Sequence, residues 1–127
     1  MNRVFFVTGS ILAGLAVIAS AYGAHAVGTL NTEQVIWIEK AARFQIYHSF
    51  ALICVYFAIS HWPQTRLFYA AGWLFLVGII CFSGGLFLMS LSGINPGYII
   101  PAGGLSFILG WGLMAFAGLF LNPADKS

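Results

Sequence analysis

The densest chemistry in this chain lies in the run Glu39 to Leu52, EKAARFQIYHSFAL. At helical spacing Glu39, Arg43 and Tyr47 fall four apart on one face, with acid before base, the better order for an i,i+4 pair. Gln45 and His48, three apart, form a second polar stripe. Glu39 and His48 are residue types that act as acids or bases, and Gln45 and His48 suit the lining of a polar path. From Ala51 to Ile59 the chain is almost purely apolar, so Gln45 and His48 stand where hydrocarbon should begin. Polar groups at that depth are costly and face protein or water, and such groups are read first as functional. The competing reading is structural: a hydrogen-bonded histidine anchor, an interfacial tyrosine and an ordinary ion pair on a solvated face. Nothing in the spacing selects a reaction, and the expectation is a non-enzymatic protein.

The elements that must position these groups are membrane spans. Of 127 residues, 61% are hydrophobic and 6% charged, against about 25% charged in a soluble domain. A net charge of +2 gives no case for nucleic acid. The expected fold is all-α, a single integral membrane four-helix bundle. Its spans cover about 4–26, 44–62, 67–91 and 99–121, and an interfacial amphipathic helix, 32–43, leads into the second. Each span holds roughly the 20 apolar residues that cross about 30 Å of hydrocarbon. The first apolar run is longer than a signal-peptide core, so it is read as a span. Asn31 with Gln34 offers a capping box, and Leu30 with Val35 a hydrophobic staple. Pro63 and Asn95-Pro96-Gly97 mark turns, Pro101 suits a first helical turn, and 122–127 is a polar tail.

Small residues recur at helix-packing intervals. Gly14, Gly84, Gly85, Gly103, Gly104 and Gly110 are the expected seams, and Ser106, Gly110, Met114 and Gly118 share one face. Cys54 and Cys81 fall mid-span without a metal or redox pattern, and each is expected to be a small buried hydrophobe. An even number of spans puts both termini on one side. Arg3, Arg66 and Lys126 there, against Lys40 and Arg43 opposite, vote for cytoplasmic termini.

This topology brings the end of span one toward the start of span two. The expected polar pocket comprises His25, Glu39, Arg43, Gln45, Tyr47 and His48, joined by Ser83 in span three. Three functions compete. The favoured one is a compact bundle that binds a partner membrane protein, lipid or a second copy. The runner-up is a carrier or channel subunit with its path at His25, Gln45 and His48. The third is a haem or metal protein using His25 and His48 as a pair. No cofactor and no metal site are expected.

The motifs Tyr22-Gly23-Ala24-His25-Ala26, Asn31-Thr32-Glu33-Gln34 and Arg43-Phe44-Gln45-Ile46-Tyr47-His48 resemble the domain-of-unknown-function 423 family of small bacterial membrane proteins. Phe82-Ser83-Gly84-Gly85-Leu86, Pro101-Ala102-Gly103-Gly104 and Gly110-Trp111 extend the resemblance across nearly the whole chain. Thr32 stands where the family often has proline. The resemblance implies a four-span protein of the bacterial inner membrane and implies no reaction.

Overall fold

A computed structural model describes residues 3–26 and 28–121. Val27, Lys126 and the tail 122–127 lie outside the described residues. Among the described residues four segments are long and apolar enough to cross a membrane. Helix α1 spans Arg3–His25 and α2 spans Thr32–His61. The third crossing is built from α3 (Arg66–Gly78), a π turn (Ile79–Ser83) and α4 (Gly84–Ser92). Helix α5 spans Ile99–Leu119.

Helix α2 begins at a complete capping box. Gln34 N–H donates to Asn31 Oδ1 at 2.8 Å, and Asn31 N–H donates to Gln34 Oε1 at 2.9 Å. From that start nothing interrupts the helix. Amphipathic segment and second span are one rod of 30 residues, about 45 Å long at 1.5 Å per residue. It therefore overhangs the hydrocarbon, and its charged first turns can lie in the headgroups. The third crossing ends at Gly93, whose φ of 75° is the left-handed conformation that stops a helix.

Helix α2 is central. Helix α1 runs antiparallel along one flank, so that Gly9 meets Ser49 and Leu52 while Gly23 meets Ile38. The third crossing lies beside α2, and α5 packs on α3 and the π turn. Leu52, Val55, Ile59, Ala71 and Phe75 form the fully buried core. Outward faces of α1 and α5 carry Ile11, Ile18, Ile108, Leu109 and Phe116, the surface a lipid solvent requires.

Seams depend on missing Cβ atoms. A Cβ on Gly110 would lie 2.6 Å from the Phe75 ring, and one on Gly85 would lie 2.7 Å from Ile100. Gly103 abuts the backbone of Phe82, and Gly78 faces the Phe107 ring. Gly104 makes ordinary contact with Phe82 at 3.8 Å. Two expected seam positions are corrected: Gly14 and Gly84 have no neighbour within 4 Å of a Cβ, because each points away from the partner helices. Gly9, Gly23, Gly72 and Gly78 take that role instead. Cys54 is also corrected: it is exposed, and Cys81 is half-buried.

Gly103→Ala or Gly110→Ala should therefore destabilise the bundle by about 1–3 kcal/mol, the usual cost of overpacking. Gly14→Ala or Gly112→Ala, in open surroundings, should be neutral or stabilise by up to about 1 kcal/mol. Reversible unfolding in mixed micelles measures both, and equal effects at all four positions would contradict the assigned seams.

Candidate functional site

Residues expected to form one pocket are divided between two faces of α2. Successive residues turn by about 100°, so Arg43 and His48 point roughly 140° apart. Glu39 and Arg43 face the groove against α1. His48 faces α5.

His48 is buried in an aromatic cluster. Its ring stacks on Phe107 with centroids 3.5 Å apart and planes 9° from parallel. Phe44, Phe75 and Trp111 complete the surround, and Phe82 packs on Phe44 at 4.8 Å. Both ring nitrogens have partners: Nδ1 lies 2.7 Å from the Phe44 carbonyl, and Trp111 Nε1 lies 3.0 Å from Nε2. A carbonyl only accepts and an indole N–H only donates. The two bonds therefore specify the neutral tautomer with its hydrogen on Nδ1.

Other interior polar groups tie one element to the next. Gln45 Nε2 donates to the Leu12 carbonyl of α1 at 2.7 Å. Ser83 Oγ donates to the Ala41 carbonyl of α2 at 2.9 Å, and Ser106 Oγ to the Leu74 carbonyl of α3 at 2.6 Å. Gln34 and Ser90 bond reciprocally: Gln34 Nε2 to the Ser90 carbonyl at 2.8 Å, and Ser90 Oγ to the Gln34 carbonyl at 2.9 Å. These bonds cross between elements, whereas buried Ser49 donates to the Gln45 carbonyl of its own helix at 2.6 Å and the Trp62 indole nitrogen is buried without a partner.

His25 and Tyr47 take no part. His25 ends α1, exposed, with Nδ1 2.8 Å from the Ala21 carbonyl. Since Gly23 meets Ile38, His25 and His48 are separated by roughly 15–20 Å along the helix axis. The expected juxtaposition of the two is corrected, because α2 starts well before the depth of His48 and carries it to mid-membrane. A haem iron cannot be shared by two rings so far apart, and His48 has no nitrogen to spare. Tyr47 is exposed against Phe44.

Glu39 and Arg43 make a loose ion pair, Oε1 to Nη2 at 3.4 Å, with side chains 67% and 48% exposed. They edge a groove of about 550 Å³ lined by Ala16, Ser20, Ala21, Ala24 and Ala42 together with Val17 and Ile46. A second hollow of about 360 Å³, lined by Ser20, Gly23, Ala24, Val35 and Glu39, adjoins it.

Trp111 is the partner that the sequence does not single out for the pocket. Its signal is position: tryptophan belongs at the membrane interface, and this one is mid-helix in α5. Trp111→Phe should cost about 0.5–2 kcal/mol of stability, the range for a hydrogen bond between spanning helices. Nitrogen-15 spectra should show His48 protonated at Nδ1 and bare at Nε2, with the Nε2 resonance moving in Trp111→Phe. An Nε2-protonated ring would refute the assignment.

The family described as a protein of unknown function, DUF423, matches residues 19–104. A UPF0382 membrane protein of Staphylococcus aureus is 37% identical over 117 residues, 91% of this chain and 94% of its own. The UPF0382 membrane protein YwdK of Bacillus subtilis is 33% identical, with 92% and 97% covered. The UPF0382 inner membrane protein YgdD of Escherichia coli is 29% identical, with 99% and 97% covered. No solved structure matches the chain. With the four spans in place and these relatives aligned nearly end to end, the chain belongs to the DUF423 family of small bacterial membrane proteins.

Proposed function

We propose that this integral membrane protein is a non-enzymatic binding bundle that engages a membrane partner on its α1–α2 face. One observation carries the reading: Gln45, Ser83 and Ser106 spend hydrogen bonds on neighbouring helices, and His48 is held between the Phe44 carbonyl of its own helix and the Trp111 indole of α5, while Glu39 and Arg43 stay exposed beside an open groove. Interior groups committed in this way support cohesion over transport. A carrier or channel needs polar groups free to exchange partners with a moving solute, and His48 is wedged between a phenyl face and an indole. We further propose that both termini are cytoplasmic, since Arg3, Arg66 and Lys126 in the sequence outnumber Lys40 and Arg43 opposite, and that the bundle resides in the cytoplasmic membrane like relatives named as inner membrane proteins.

A photo-reactive amino acid at Ser20, in native membranes, should give one defined adduct, lipid or protein, identified by mass spectrometry. The same probe at Ile108 on α5 should give only the spread of random neighbours. Identical spreads from both positions would refute the binding face. Flux through proteoliposomes that His48→Ala abolishes would restore the transport reading.

A further inference from the structure

Resting on that reading, we infer that the α1–α2 groove is a site for a single zwitterionic glycerophospholipid with an ethanolamine head. Arg43 would meet the phosphate, Glu39 the ammonium, and the hollow lined by small residues an acyl chain.

Depth supports this. Ser83 meets Ala41 and Gly85 meets Ile100, so Glu39 lies level with the first turn of α5. That helix has 21 residues, about 32 Å, close to the hydrocarbon thickness of about 30 Å. Glu39 is thus at the headgroup boundary and Arg43 one turn inside it, with acyl chains as the neighbours on the open side of the groove. A guanidinium has five N–H donors. Among the described residues Arg43 uses one, at 3.4 Å, well beyond the 2.7–2.9 Å of a strong charge-assisted bond. So both charges have unfilled capacity where water is scarce.

Charge order selects the head. An acid and a base one helical turn apart are complementary to a phosphate and an ammonium joined by two carbons. A purely anionic head would leave Glu39 repelled, and a trimethylated ammonium has no N–H to donate to it. The groove itself asks for a thin occupant. Ala16, Ala21, Ala24 and Ala42 project almost nothing into it, and Val17 and Ile46 give it apolar walls, so a hydrocarbon chain laid along α1 can fill the trough by apolar contact alone.

Native mass spectrometry of the delipidated full-length protein is the test. The probes are phosphatidylethanolamine, phosphatidylcholine and phosphatidylglycerol with identical acyl chains. The ethanolamine lipid should bind about fivefold tighter than the choline lipid, the upper range for one partly exposed ionic contact. Glu39→Gln should erase that preference, and Arg43→Gln should weaken all three lipids. Leu109→Ala, on the exposed face of α5, should change nothing and controls for folding. Equal binding of the ethanolamine and choline lipids would overturn the inference, as would preference for the glycerol lipid or a lipid-free dimer as the only assembly. Any of these alongside a single protein adduct at Ser20 would remove the lipid and leave the binding face standing. Random adducts at Ser20 would remove the binding face as well.

Discussion

Hydrocarbon offers no hydrogen-bond partner, so a polar side chain buried in this bundle is best satisfied within the chain, and among the described residues the Trp62 indole nitrogen is the one buried side-chain donor left without a partner. Gln45 joins α2 to α1, Ser83 joins the π turn to α2, Ser90 joins α4 to α2, Ser106 joins α5 to α3, and Trp111 joins α5 to His48 of α2. Apart from the last, all use a backbone carbonyl that already sits in a helix. Its second lone pair is free, so a short side chain can tie two helices without breaking either. Apolar surfaces alone specify little in lipid, where tails are as apolar as leucine. Placed one per seam, these ties fix which helix lies against which, and at what register.

The ties work only at close approach, which the glycines permit. Gly103 lets α5 lie on the backbone of Phe82, and in that position Ser106 reaches the Leu74 carbonyl. Helix α5 stands further from α2, and the space between is filled by side chains instead of backbone. Phe107, seated over Gly78, stacks on His48, while Phe75, seated over Gly110, packs on Trp111. The π turn is part of the same fit. Ile79 and Ser83 are both buried, as are Phe75 before them and Leu86 and Ser90 after. An extra residue in that turn re-aims α4, so that Ser90 meets Gln34 while Ser83 meets Ala41. π turns often occur at functional sites; here Ser83, Leu86 and Ser90 turn into the core or onto a neighbouring helix, while Ile80, Leu88 and Leu91 stay exposed.

The spans, the capping box and the turns were legible because each is a local signal: hydropathy over a window, a four-residue cap motif, glycine and proline. The spacing separates Arg43 from His48, but it also groups Gln45 with His48, and these two reach different helices: Gln45 bonds to Leu12 of α1 and His48 to Trp111 of α5. What the sequence could not supply was the partner of each stripe. His48 looks like a ligand until Trp111 is known to lie 3.0 Å away, and that pairing joins positions 63 residues apart. Glycines mislead for a similar reason. Gly84 and Gly85 are adjacent and chemically identical, yet one faces open space and the other Ile100. Helical phase within a crossing that contains a π turn decides between them, and the turn has no sequence mark that a window of hydropathy would detect.

The assignment of function then turns on which groups the fold consumes. An imidazole held as a neutral tautomer between a carbonyl and an indole, with a phenyl ring on its face, has its hydrogen-bonding capacity fully used. An amide or hydroxyl bonded to a neighbouring helix is committed in the same sense, because freeing it would strand a buried polar group at a cost of about 1–3 kcal/mol. The Glu39–Arg43 pair is under no such constraint. Both ends are exposed and their mutual contact is long, so either can change partner at little cost to the bundle. One short run is thus split by what the fold consumes: Gln45 and His48 tie α2 to α1 and α5, while Glu39 and Arg43 stay exposed at the edge of the α1 groove.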